Sequence, residues 1–137
     1  MDIRFPDGTL VRASPLSERE AGAGWRAFGL YCDPAWAPDW PAEIIDWPDF
    51  GVPADAETAA RQIQAAFTRA RAGERVEVGC RGGLGRTGTV LACMAVLAGV
   101  PAGEAVAWVR AHDRPAAVET AAQEAWVGWF AGWVLQC

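Results

Sequence analysis

The sequence holds one histidine, His112, and four cysteines, at 32, 80, 93 and 137, with no CxxC pair among them. That set is too small and too widely spaced for a structural zinc site. Basic residues are in the minority, 12 against 17 acidic, and the net charge of −5 argues against broad affinity for nucleic acid or acidic membranes. Any anion site must therefore be local. The first eight residues lack the basic and apolar blocks of a signal peptide, and the apolar run 90–100 is too short to span a bilayer. No repeat or low-complexity tract appears. These absences lead to the expectation of a soluble, cytoplasmic protein in which Cys32 and Cys93 are buried free thiols in a reducing compartment.

A length of 137 residues fits one domain with a working core of its own. Residues 3–5 and 9–12 alternate around Pro6-Asp7-Gly8 and predict a β-hairpin at a sheet edge. A strand is predicted over 25–31, then a loop over 33–41 with three prolines and two tryptophans, for which Trp36 and Trp40 are read as anchors. A short apolar strand at 44–46 delivers 47–53, where two prolines and a glycine forbid regular structure. Ala59, Ile63, Ala66, Phe67 and Ala70 mark a helix over 55–72 ended by Gly73. A strand at 75–78 and a helix at 87–97 flank a glycine-rich loop. A short helix at 101–110 and a longer one at 119–135 follow, the latter with Trp126, Trp129, Phe130 and Trp133 on one stripe expected to face the core. The pattern predicts a single α/β domain over 1–137, with a central mixed, largely parallel sheet flanked by helices. Its ligand site is expected beyond the carboxyl ends of the strands.

The run Gly79-Cys80-Arg81-Gly82-Gly83-Leu84-Gly85-Arg86-Thr87 occupies that position. Its N–H groups and the following helix N-terminus would converge on an anion, and the same dipoles together with Arg86 favour the thiolate of Cys80. Arg86 can grip two phosphoryl oxygens through its planar fork. Arg81, Gly82, Gly83, Leu84 and Gly85 would wrap the guest, the glycines allowing close backbone approach. Thr87 can donate its hydroxyl to the Cys80 sulfur. Asp49, in Trp47-Pro48-Asp49, supplies a carboxylic acid for the leaving oxygen and then a base for water. The plainer readings are a tight strand-to-helix turn holding an inert cysteine and, for Asp49, a turn residue after proline. His112 reads as a surface or capping residue, and Arg114 as the partner of a carboxylate.

Together these segments resemble the cysteine-dependent protein tyrosine and dual-specificity phosphatases. Cys80 through Thr87 is similar to that family's Cys-x5-Arg-Ser/Thr loop, residues 47–53 to its mobile general-acid loop, and 118–123 to the segment whose glutamines position the hydrolytic water. The resemblance covers roughly 44–133. It implies a phosphocysteine on Cys80, stabilisation of the phosphoryl group by Arg86, acid and base work by Asp49 and orientation of water by Gln123, with no metal or other cofactor. The implied partner is a phosphorylated protein, at phosphotyrosine and also phosphoserine or phosphothreonine, or a small phosphoester. A phosphoinositide or nucleotide phosphatase is the alternative enzyme, although only Arg81 adds charge to the loop for a polyanion. A catalytically inactive phosphate-binding module is the other, but pure binding needs neither thiolate nor acid. Two positions depart from the family pattern: Gly79 stands where a histidine usually precedes the cysteine, and Glu119 replaces the first glutamine. The N-terminal aromatic loop of the large tyrosine-specific enzymes is also missing.

Overall fold

The computed structural model describes residues 1–82 and 84–136. Gly83 and Cys137, and with them the loop role expected of Gly83, lie outside the described residues. In chain order the strands are β1 (Asp2–Arg4), β2 (Leu10–Pro15), β3 (Phe28–Tyr31), β4 (Ala42–Ile44) and β5 (Val76–Cys80). The predicted edge hairpin is present. β1 pairs antiparallel with β2, Ile3 opposite Val11, around a turn in which Gly8 takes φ +89°, a conformation that favours glycine. All other pairings are parallel, in the order β1-β2-β5-β3-β4.

The strand predicted over 25–31 is shorter in the structure. Residues 22–25 form a turn closed by Trp25 N–H to Gly22 O at 3.0 Å, and pairing begins only at Phe28. Conversely, the central strand runs two residues further than expected, to Cys80, because Ser14 and Pro15 of β2 continue the ladder opposite Gly79 and Cys80.

Among the described residues four α-helices complete the domain: α1 (Ala56–Arg71), α2 (Gly85–Leu97), α3 (Ala105–His112) and α4 (Ala121–Leu135). Asp55 caps α1 by accepting from Thr58 N–H, and Gly73 ends it at φ +94°. α2 touches α1, α3 and α4 as well as β5, and every residue from Gly85 to Ala95 is buried. That position explains its nearly uniform apolar sequence, since a helix packed on all sides has no polar face to show. On α4, Trp126 and Phe130 are buried and Trp133 is half-buried, but Trp129 is 40% exposed. The predicted four-residue stripe spans a wider arc than the helix buries, so one of its aromatics faces out. Among the described residues no helix is long and apolar enough to cross a membrane.

Alternation along β5 separates two environments. Val76, Val78 and Cys80 join the apolar core with the helices. Glu77 and Gly79 face the other way, beneath the stretch 16–40. There Glu77, wholly buried, accepts from Arg26 Nε at 2.6 Å, Tyr31 Oη at 2.7 Å and Ser14 Oγ at 2.8 Å. A buried carboxylate persists only when paired and hydrogen-bonded in this way. The Tyr31 ring lies along the sheet where a side chain on Gly29 would collide with it.

Candidate active site

β5 ends at Cys80, and α2 starts five residues later, so the intervening loop must turn sharply over the end of the sheet. Cys80 is 3% exposed, and Thr87, from the first turn of α2, donates Oγ1–H to its sulfur at 3.0 Å. Cys80, Arg81, Gly82, Leu84 and Gly85 line a cavity of about 240 Å³, closed on its other sides by Asp49, Phe50 and Glu119. Glycine at 85 has a local cause, because a Cβ there would run into the Glu119 carboxylate, whereas one at Gly82 would meet nothing within 4 Å.

Arg86 enters from the first turn of α2 and is 4% exposed. Its Nη1 donates to Cys32 O at 2.8 Å and Trp47 O at 2.9 Å, and its Nη2 to Asp33 Oδ2 at 3.2 Å. These three contacts fix the plane of the guanidinium. Nε is buried without a hydrogen-bond partner, and the Asp49 carboxylate stands 3.6 Å from it. Arg86 lines a second cleft of about 570 Å³ that shares Asp49 and Arg81 with the first. Asp49 thus forms the wall between them.

The segment 47–53 hangs from fixed points. Trp47 is buried against Trp126 of α4, with ring centroids 5.5 Å apart, and its Nε1 donates to Gly51 O at 2.7 Å. Gln123 Nε2 donates to the same carbonyl at 3.1 Å. The Gln123 Oε1 accepts from the N–H groups of Glu119 at 2.8 Å and Thr120 at 3.2 Å, closing a capping box with Thr120 at the start of α4. Fully buried and engaged at both ends, Gln123 ties α4 to the segment 47–53.

The profile described as PTP-SAK, Swiss Army Knife protein, DSP-PTPase phosphatase domain, matches residues 48–127, more than half of the chain. The chain belongs to that phosphatase family. It is also similar to the solved structure of Tk-PTP in its active form, at 25% identity and TM-score 0.76 over 95% of this chain and 96% of that one. Two human proteins share the fold at 14% identity. They are DUSP28, at TM-score 0.73 over 99% of each chain, and the tyrosine phosphatase-like serine/threonine/tyrosine-interacting protein, at 0.76 over 98% of this chain and 97% of that one.

In this DSP-PTPase domain Asp33 belongs to the site although sequence reasoning passed over it. It lies just past β3, 5% exposed, and bridges Arg86 to Arg81, whose Nε reaches it at 3.1 Å. Burial pushes its carboxyl up, but the Ala35 N–H and the two guanidiniums outweigh that, and its pKa lies below the ordinary 3.8. Cys32 follows β3, its N–H donating to Gly79 O at 2.8 Å. Burial first and Cys80 second push its thiol well up, and Arg86 offsets them only in part. Arg110 was also missed. It holds the carbonyls of Ala117 and Val118 at 2.8 Å each and so steadies Val118, a β-branched residue at φ +62°, next to Glu119. His112 ends α3, exposed and stacked on Trp108, away from the phosphatase loop.

Proposed function

We propose that this domain hydrolyses phosphomonoesters, phosphotyrosine first among them and phosphoserine or phosphothreonine as well, through a phosphocysteine on Cys80. The observation that carries this reading is the convergence of Cys80, the N-terminus of α2 and Asp49 on one cavity of about 240 Å³. The sulfur attacks phosphorus as the bond to the leaving oxygen breaks, and Asp49 delivers its proton to that oxygen. Water then attacks the phosphocysteine, the Asp49 carboxylate takes its proton, and inorganic phosphate leaves. Thr87 steadies the departing thiolate through the hydrogen bond it already makes to Sγ.

Arg86 Nε supports the charge side of the mechanism. Nε, on a guanidinium held by three other contacts, makes no hydrogen bond and faces the Asp49 carboxylate at 3.6 Å, so an incoming anion would take that place as Asp49 turns to the leaving oxygen. The loop atoms of Arg81, Gly82, Leu84 and Gly85 would complete the cradle. Gln123 acts in this state through the acid loop; to orient water its amide must first release Gly51 O. The carboxylate of Glu119 on the cavity wall favours a singly phosphorylated group over a polyphosphorylated head group. Buried free thiols at Cys32 and Cys93 suit a reducing compartment such as the cytoplasm.

The test is hydrolysis of para-nitrophenyl phosphate in the presence of chelator, with vanadate as competitor. Cys80→Ser is expected to abolish turnover while phosphate still binds. Asp49→Ala should slow aryl esters with poor leaving groups by about 10²-fold or more and activated ones much less. Full activity in Cys80→Ser would end the assignment.

A further inference from the structure

Gly79 leaves a side-chain position on β5 that another residue fills. A Cβ at Gly79 would stand 2.6 Å from Trp36 Cζ2 and 2.9 Å from both Trp36 Cε2 and Ser14 O, so nothing larger than glycine fits while the indole is in place. From that seat Trp36 Nε1 donates to Cys80 O at 3.0 Å. The tryptophan is itself tightly held. It is fully buried, and its ring stacks on Tyr31 with centroids 4.1 Å apart and planes 13° from parallel. Its own carbonyl accepts from Arg19 Nε at 2.6 Å. The following residue, Ala37, takes φ +38° and gives its carbonyl to Arg19 Nη2 at 2.9 Å. Asp33 accepts from Ala35 N–H at the head of the same turn.

We propose that Trp36 is a positioning residue for the phosphate loop, its indole N–H fixing the Cys80 carbonyl, and that glycine occupies position 79 to admit it. The Cys80 carbonyl is where the strand ladder gives way to the loop, so pinning it sets the plane of the next peptide and the direction of the N–H groups beyond. The donor meets this carbonyl from the face of the sheet opposite α2, so the start of the loop is held from both sides. Three successive contacts of one short segment then brace the loop: Cys32 O and Asp33 on Arg86, and Trp36 on Cys80. The effect on turnover rests on the phosphatase reading, while the effect on the reactivity of the sulfur toward alkylation does not.

Trp36→Phe keeps a ring against Tyr31 and removes the N–H that donates to Cys80 O. Turnover of para-nitrophenyl phosphate is expected to fall about 10-fold with KM changed less than about 2-fold. Alkylation of Cys80 by iodoacetamide at neutral pH, which follows the thiolate, should slow by about 3-fold or more. Phe67→Leu, a core cavity remote from the loop, controls for lost stability and should move neither quantity. Gly79→Ala displaces the indole without deleting its N–H and should reproduce both changes. Adding Trp36→Phe to it should then cost nothing further, because the contact is already gone. Trp36→Phe with the wild-type kcat and alkylation rate, or changes equalled by Phe67→Leu, would overturn the proposal. Should the wild-type protein turn over no phosphoester, the phosphatase reading fails and the alkylation rates alone decide the role of Trp36.

Discussion

The helical face of the sheet buries Val76, Val78 and Cys80 of β5 in a continuous apolar core, whereas the opposite face buries Glu77 in a net of Arg26, Tyr31 and Ser14 under Trp36 and Trp40. The apolar side is indifferent to direction and fills space, while the polar side holds atoms at defined distances. The two meet at Cys80, whose sulfur lies with the first and whose carbonyl is held by the second. The nucleophilic role proposed for Cys80 would need both, a pocket for its sulfur and a fixed backbone around it. The chain's basic residues suit the polar side, for it contains no lysine and all 12 are arginine. Arg19, Arg26, Arg81, Arg86 and Arg110 each make at least two hydrogen bonds at once, a task for which the guanidinium fork is preorganised.

The contrast is tested most severely at Glu77. Glu77→Ala leaves the Arg26 guanidinium buried with no counter-charge, and a cost of about 3–5 kcal/mol in urea denaturation is expected. On the facing side Val78→Ala removes two methyl groups from the core, for a loss of about 2 kcal/mol. If Val78→Ala proves the more damaging, the polar net is ornament on a fold held by its core alone.

Much of this was legible in the sequence because it is local. Helical spacing located α1 and α4, while α3 begins four residues later than the helix expected from 101, and the spacing from Cys80 to Arg86 and Thr87 located the loop, since one strand, one turn and one helix set that geometry. The polar net was not legible. Arg26 is 51 residues from Glu77, Asp33 is 53 from Arg86 and Trp36 is 44 from Cys80, and these pairs meet only because β3 and β5 are neighbours in the sheet. Asp33 directly follows the strand beside the loop, which is the one signal that could have found it. The strained backbone was equally hidden. Ala37, Phe50 and Val118 take positive φ, and each is next to a residue of the site, Trp36, Asp49 or Glu119. Such strain gathers where neighbouring structure overrides local preference.

One aspartate from each side gives the contrast a pH signature. Asp33 has its carboxyl below the ordinary value of 3.8. It therefore contributes stability at neutral pH that is lost as pH falls below about 4 through the folded-state value. Asp33→Asn should lower Tm at pH 7 and flatten the acid limb of the Tm profile. It should also loosen Arg86, raising KM for para-nitrophenyl phosphate. An unchanged acid limb would mean that the arginine bridge carries no net stability.

Asp113, at the end of α3, titrates in the reverse sense and with the smallest effect. Burial pushes its carboxyl above the ordinary value, Arg114 offsets this only in part, and its Oδ2 is buried without a hydrogen-bond partner. A folded-state value above the unfolded one means that the folded chain holds the proton more tightly. Stability is then lost as pH rises from about 4 through the raised value, and the loss persists at neutral pH. Asp113→Asn removes this titration, so Tm should rise slightly at pH 7 and stay at the wild-type value near pH 3. A fall at pH 7 would show that the Asp113 carboxylate has an effective partner in Arg114, and that the helical side tolerates a charge as the polar side does.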